Sequence, residues 1–206
     1  MGRASQEQAE RNRERVVETA CRLFRMHGVE NVSIADIMTE AGLTPGGFYK
    51  QFASKEALID EAFALAFRQS SGSWEAIRKC HDANASQALT ALVQHYFKQR
   101  PLEQNCPMLA FSSLVSNLSP KAQATDVYYD GVEELFGQFR EEVLKAPKQG
   151  SAKKMSEADA LTLFAAMIGT GLLSRAIGHT PWIRQMQSAV LSALPEAELG
   201  AKTDTK

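Results

Sequence analysis

Residues 42–58 read GLTPGGFYKQFASKEAL, three glycines and a proline in a stretch that still keeps helical spacing. Gly46 and Gly47 stand directly before two large aromatics, Phe48 and Tyr49. A glycine costs a helix interior roughly 1 kcal/mol relative to alanine, so two in one turn need a reason. Thr44 is a favoured N-cap residue type, and Pro45 is a favoured first helical residue. Phe48 and Phe52 fall four apart, on one side of such a helix. These signals predict a helix over 44–51 despite its glycines, with an outer surface bare enough for something to come very close.

Working outward, helix punctuation continues in both directions. A first helix is predicted over 6–27, with Val16, Ala20, Leu23, Phe24 and His27 on one stripe and Gly28 as its stop. Ser33, with Asp36 three residues on, is a capping box that starts a short second helix ending at Gly42. Helices two and three, joined by a tight turn at Gly42, form a helix-turn-helix. Ser54 starts a fourth helix running to about 79, with Ser71-Gly72-Ser73 as a place for a kink. Further helices are predicted near 86–99, 108–117, from Ser119-Pro120 to about Ala146, 156–178 and 181–194, with a polar tail from Glu196. Strand signals are nearly absent. The expected fold is all-α, about nine helices.

Composition bounds the function without naming it. The 206 residues are 44% apolar and 23% charged, which is a globular chain rather than a disordered one. No run of about 18 apolar residues appears and the N-terminus lacks a signal-peptide core, so a cytoplasmic protein without a membrane span is expected. Cys21, Cys80 and Cys106 are widely spaced, which argues against a disulfide framework or a structural zinc site. The formal net charge is −1, and through residue 56 eight basic residues meet eight acidic ones. A nucleic-acid face must therefore come from the arrangement of charge rather than from its total.

The stretch VVETACRLFRMHGVENVSIADIMTEAGLTPGGFYKQFASKEAL, residues 16–58, resembles the N-terminal domain of the tetracycline-repressor (TetR) family. The resemblance rests on Ala20, Leu23, Phe24, Gly28, Ser33, Ile37, Ala41, Gly42, Leu43, Gly46, Tyr49, Phe52, Ser54, Lys55, Glu56 and Leu58. It implies a DNA-binding domain over 1–54 and a helical ligand-binding and dimerisation domain over 55–206. It also implies phosphate contacts at Thr44, Tyr49 and Lys55. The residues themselves suit that use, because a recognition helix enters the major groove N-terminus first, where small residues let its backbone approach. The candidate DNA-contacting set is Ser33, Thr44, Pro45, Gly46, Gly47, Tyr49, Lys50 and Lys55. An N-terminal arm carrying Arg3, Arg11 and Arg13 is a further candidate, although interleaved glutamates fit a solvated face equally well. The chain departs from the family pattern at Ala35, Met38 and Gly47, which leaves few residues for direct base reading.

Past the N-terminal domain the reading concerns partners. The stretch from Leu161 to Leu173 is apolar nearly all round, so it is expected to be covered on all sides. One face is assigned to a second subunit, through Phe164, Ile168 and Leu172, with Trp182, Met186 and Val190 on the next helix. The resemblance implies the same homodimer. It also implies a pocket for a small hydrophobic or aromatic effector, for which the candidate lining is Phe67, Trp74, Phe97, Cys106, Met108, Phe111, Tyr128 and Met167. Cys106, just before Pro107 and a helix N-terminus, offers a competing, thiol-based trigger.

Other classes fare less well. The four histidines are scattered, and neither a metal-binding helix motif nor a nucleophile elbow is present, so no enzyme, metal or cofactor is expected. Gly169-Thr170-Gly171 follows no strand and is assigned to close helix packing rather than to a dinucleotide. The reading is a repressor that binds a palindromic DNA operator as a homodimer, with a helical interaction protein lacking DNA binding as the remaining alternative.

Overall fold

The computed structural model describes residues 2–118, 122–148 and 153–196, with side chains from residue 6 onward. Among these residues the chain is all helical: eight α-helices, two short 3-10 helices and one isolated bridge between Pro147 and Lys154. The α-helices are α1 (Gly2–His27), α2 (Ile34–Glu40), α3 (Lys55–Cys80), α4 (Ala85–Phe97), α5 (Pro107–Val115), α6 (Gln123–Lys145), α7 (Glu157–Ile177) and α8 (Pro181–Ser192). The 3-10 helices are Pro45–Lys50 and Leu102–Gln104. The starts predicted at Ser119-Pro120 and most of the tail lie outside the described residues.

The chain divides into two compact units, Met1–Gly72 with Gln99–Glu134 and Ser73–Lys98 with Leu135–Lys206. In the first, α1 packs against α2, α5 and the 3-10 helix Leu102–Gln104. Its core holds Phe24, Ile37, Phe48, Leu58, Phe63 and Phe111, with Phe63 and Phe111 stacked at 3.9 Å between centroids. The buried side of α1 is Val16, Val17, Ala20, Cys21, Phe24 and Arg25. His27, placed on this stripe by spacing, is exposed and Leu23 is half-buried. The stripe is rotated because Arg25 turns inward to serve two backbone carbonyls.

The second unit packs α4, α7 and α8 together, with the later parts of α3 and α6. Phe164 of α7 lies edge-on to Phe136 and tilted to Phe139 of α6. Arg78 binds Glu141 and Glu142, and Lys145 adds a 3.0 Å bond to Glu142, which pairs an otherwise isolated buried carboxylate. Gly171 lies against the Tyr96 ring so closely that a Cβ there would sit 2.5 Å from Cε1, as close helix packing requires. Gly169 meets nothing comparable.

Two sequence expectations are corrected. The interruption expected at Ser71-Gly72-Ser73 does not occur: α3 is one continuous helix, and Ser71 bonds Glu134. The helix over 44–51 is a 3-10 helix, since its glycines contribute little to a regular α-turn and Gly47 N–H bonds Thr44 C=O at i→i+3 spacing. Helix α7, one face of which is assigned to a second subunit, buries Ala160, Leu163, Met167 and Thr170 within the chain. With mean hydropathy 1.6 over its most apolar window, α7 is also the one described helix long and apolar enough to cross a bilayer. Thr162, Thr170 and Ser174 interrupt any apolar run, and apolar helices inside bundles meet the same criterion.

Candidate nucleic-acid interface

The interface begins with how α2 is held. Ser33 and Asp36 form both bonds of a capping box: Asp36 N–H donates to Ser33 Oγ at 3.1 Å and Ser33 N–H to the Asp36 carboxylate at 2.9 Å. The Ser33 hydroxyl, then the Ser33 backbone N–H, hold the Asp36 carboxyl below its usual range, with Lys55 adding a smaller effect. The Ser33 hydroxyl also donates to that carboxylate at 2.6 Å, so its first role is structural. Gly42 takes φ +70°, a left-handed conformation that glycine adopts without Cβ strain, and the chain reverses there. Leu43 N–H closes the turn onto Met38 C=O at 2.8 Å.

The following 3-10 helix is anchored from within. Phe48 is fully buried and stacks on Phe52 at 5.4 Å, while Tyr49 projects outward, 71% exposed. Thr44, Pro45, Gly46 and Lys50 are exposed and Gly47 is half-buried. Neither Gly46 nor Gly47 has positive φ, and a Cβ at Gly46 would meet nothing within 4 Å. At Gly47 it would make an ordinary 3.7 Å contact with Met38. The fold itself thus requires neither glycine. Thr44 makes no side-chain capping bond, contrary to the expectation, so its hydroxyl is not committed to the turn it precedes.

Helix α3 starts beside this turn. Ala57 N–H donates to Ser54 Oγ at 3.2 Å, and Glu56 is held below its usual range by its own backbone N–H and by Ser54. Lys55 is half-buried and donates to Val29 C=O at 3.0 Å. An ammonium carries three donors, so this bond holds the side chain while leaving two N–H groups for an anion.

Most arginines of the region serve the fold. Arg13 makes a two-pronged pair with Glu61 and lies 4.7 Å over the Phe52 ring, so it braces the domain and is not part of a free arm. Arg22 pairs with Glu40 at 2.7 Å, and Arg15 donates to Ala41 C=O. Arg11 bonds Gln8 and Glu7 on α1, and the side chain of Arg3 lies outside the described residues. The acidic side chains of α2 are likewise engaged, Asp36 in the cap and Glu40 with Arg22. What remains is a lean cationic face of Lys50 and Lys55 around exposed Tyr49.

The remaining sequence-predicted residues separate by unit. Phe67, Met108, Phe111 and Tyr128 belong to the first, where Tyr128 lies edge-on to Phe67 and donates to Met108 C=O at 2.7 Å. Burial, with a smaller effect of Cys106, pushes the Tyr128 phenol up to about 12. Cys106 is the half-buried N-cap of α5 in this unit. Trp74, Phe97 and Met167 belong to the second unit, where Trp74 and Phe97 both flank Tyr96, a ring missed in the candidate lining. Of the dimer candidates, Leu172 and Trp182 are exposed and Phe164, Ile168 and Met186 half-buried. Val190 is only 7% exposed; it belongs to the chain's own core, because α8 turns it toward the unit's interior. Arg25 was missed too, and its only sequence signal is its place one turn after Cys21 in α1.

Residues 16–62 match the family model of bacterial regulatory proteins, tetR family. The HTH-type transcriptional regulator AcrR of Shigella flexneri is 33% identical over 66 residues, 32% of this chain and 31% of the relative. The uncharacterized HTH-type transcriptional regulator YerO of Bacillus subtilis (strain 168) is 43% identical over 47 residues, 23% of this chain and 16% of the relative. The chain thus spans about a third of one relative's length and a sixth of the other's. A TetR transcriptional regulator from Chloroflexus aurantiacus J-10-FL superposes with TM-score 0.75 over 90% of this chain and 95% of that one. At 24% identity that likeness establishes the all-helical fold alone.

Proposed function

We propose, from the premise that this chain belongs to the tetR family of bacterial regulatory proteins, that it is a cytoplasmic transcriptional repressor binding a palindromic operator as a homodimer. Residues 1–54 read the DNA, and residues 55–206 carry the effector and dimer functions. The observation that carries the reading is the bare turn Gly46-Gly47. Neither backbone strain nor internal packing calls for glycine there, whereas a major groove meeting the backbone does. Thr44, Tyr49 and Lys55 are the phosphate ligands beside that turn, and Pro45, by apolar contact, and Lys50 are left for base edges. Half-site centres lie one helical turn apart or a small multiple of it.

The effector is a small hydrophobic or aromatic molecule lying against Phe67, Met108, Phe111 and Tyr128 of the first unit. Helix α3 starts at the DNA-binding end with Lys55 and continues unbroken to Cys80. A ligand that binds better when α3 is tilted would shift the dimer to a spacing unsuited to the operator. Titration of labelled genomic fragments with the purified protein, followed by a panel of aromatic compounds, tests both halves. A protein that retains no fragment is a helical interaction module instead, and retention that no compound relieves removes the effector half.

A further inference from the structure

Among the described residues, Arg25 is the buried cation that the proposed function leaves unused. Only 5% exposed, it donates through Nη2 to Ala66 C=O at 2.8 Å and through Nη1 to Glu103 C=O at 3.3 Å. Its Nε is buried and has no acceptor, and the Nδ2 of Asn105 is in the same position. Burying a guanidinium without an anion costs several kcal/mol. The groups that interact electrostatically with it are two thiols, Cys21 and Cys106, with no carboxylate among them. Cys21 is almost fully buried and burial pushes its thiol up, so it is held protonated. Cys106 is half-buried, follows Asn105 directly and stands as the N-cap of nine-residue α5, where positive dipole favours negative charge. Helix α1 packs on both Leu102–Gln104 and α5, so these groups form one site within one unit.

We propose that Cys106 is a hydroperoxide-reactive thiol whose oxidised form, a sulfenate, is held by Arg25 Nε and Asn105 Nδ2. The Cys106 sulfur, as thiolate, attacks the distal oxygen of ROOH; the S–O bond forms and the O–O bond breaks. Sulfur is oxidised and the peroxide is reduced: the thiol's own proton has gone to solvent, and the leaving RO⁻ takes the hydroxyl proton of the transferred oxygen, so that ROH and the sulfenate are the products. The new oxygen carries the negative charge that the two unused donors lack. The readout is covalent, so the site stands or falls independently of the operator reading.

The test is site-resolved trapping of sulfenate with a cyclic dione after limiting hydrogen peroxide, using solvent-exposed Cys80 as internal reference. Cys106 is expected to be trapped about ten-fold faster than Cys80 although it is less exposed. Arg25→Gln should bring the Cys106 rate down to that of Cys80, and Arg25→Lys, which keeps the charge, should restore most of it. Asn105→Ala, at a half-exposed position, should leave oxidation in place and shorten the sulfenate lifetime several-fold. If Arg25→Gln does not fold, the wild-type rate ratio and Asn105→Ala decide. Equal trapping at Cys80 and Cys106, or an unchanged Cys106 rate in folded Arg25→Gln, would overturn the proposal.

Discussion

At the scale of single residues, glycines do opposite work at different places, and substitution separates them. Gly46→Ala and Gly47→Ala meet open space or an ordinary contact, so both proteins should fold with unchanged or slightly higher stability, by up to about 1 kcal/mol. Both should nevertheless lose DNA affinity, because the added methyl stands where the groove approaches. Thermal melts and fluorescence anisotropy on one operator fragment check the pair; unchanged affinity would remove the close-approach argument. Gly131→Ala should behave in the reverse way. Its Cβ would lie 2.2 Å from Phe67 Cγ, and a buried ring cannot step aside as a flexible chain end does. The cost is about 1–3 kcal/mol, read as a lower denaturation midpoint. The Gly46-Gly47 pair was legible in sequence because it broke a local rule. Gly131 was not, since nothing near it in the chain names Phe67 as its neighbour.

At the scale of elements, helix ends set both boundaries and acid sensitivity. Helix α7 opens with a full capping box, in which Ser156 N–H donates to Asp159 at 2.8 Å and Asp159 N–H to Ser156 Oγ at 3.3 Å. The Ser156 backbone bond, then its side chain, holds the Asp159 carboxyl below its ordinary 3.8. A depressed folded pKa means the unfolded chain binds more protons in that range. The stabilisation is therefore fully present above the ordinary value and is lost as pH falls through the folded one. Ser156→Ala should thus be less stable than wild type at neutral pH, with the gap narrowing below about pH 4. Urea midpoints measured at both ends of that range check this, and a pH-independent gap would assign the loss to the helix end alone. The Ser33–Asp36 capping box was readable in sequence because both partners lie within four residues. The 3-10 form of Pro45–Lys50 was not, because its register depends on where Phe48 and Phe52 find their core.

At the scale of the molecule, α7 carries two apolar faces and the chain covers one. Ala160, Leu163, Met167 and Thr170 face inward, while Leu161, 57% exposed, and Leu172, 50% exposed, leave an apolar stripe open with half-buried Ile168. Trp182 and half-buried Met186 extend such a surface on α8. Leu172→Arg should therefore keep its helical circular dichroism and halve the mass seen by light scattering. Val190→Asp, at a core position, should unfold the chain instead. An intact Leu172→Arg dimer would put the interface elsewhere. Because Arg13, Arg15, Arg22 and Arg25 are spent on the fold, DNA affinity should depend only shallowly on salt. Two lysines per subunit give a slope of about −4 in log K against log salt, flattened further by Lys50→Ala. A slope twice as steep would mean that an N-terminal arm also binds phosphate.

The amino-acid order by itself determined the all-α class, the helix-turn-helix and most helix ends, because caps, turns and 3.6-residue stripes act over a few neighbouring residues. Only the tertiary structure decided which charges are free, that Arg25 is buried beside two thiols, and that α7 keeps one face uncovered. Ion pairs such as Arg13 with Glu61, 48 residues away, and close approaches such as Gly171 with Tyr96 depend on distances that only packing creates. A charge read along the chain is a candidate for DNA or for the fold alike, and the choice is made by what the folded chain brings within hydrogen-bond reach of it.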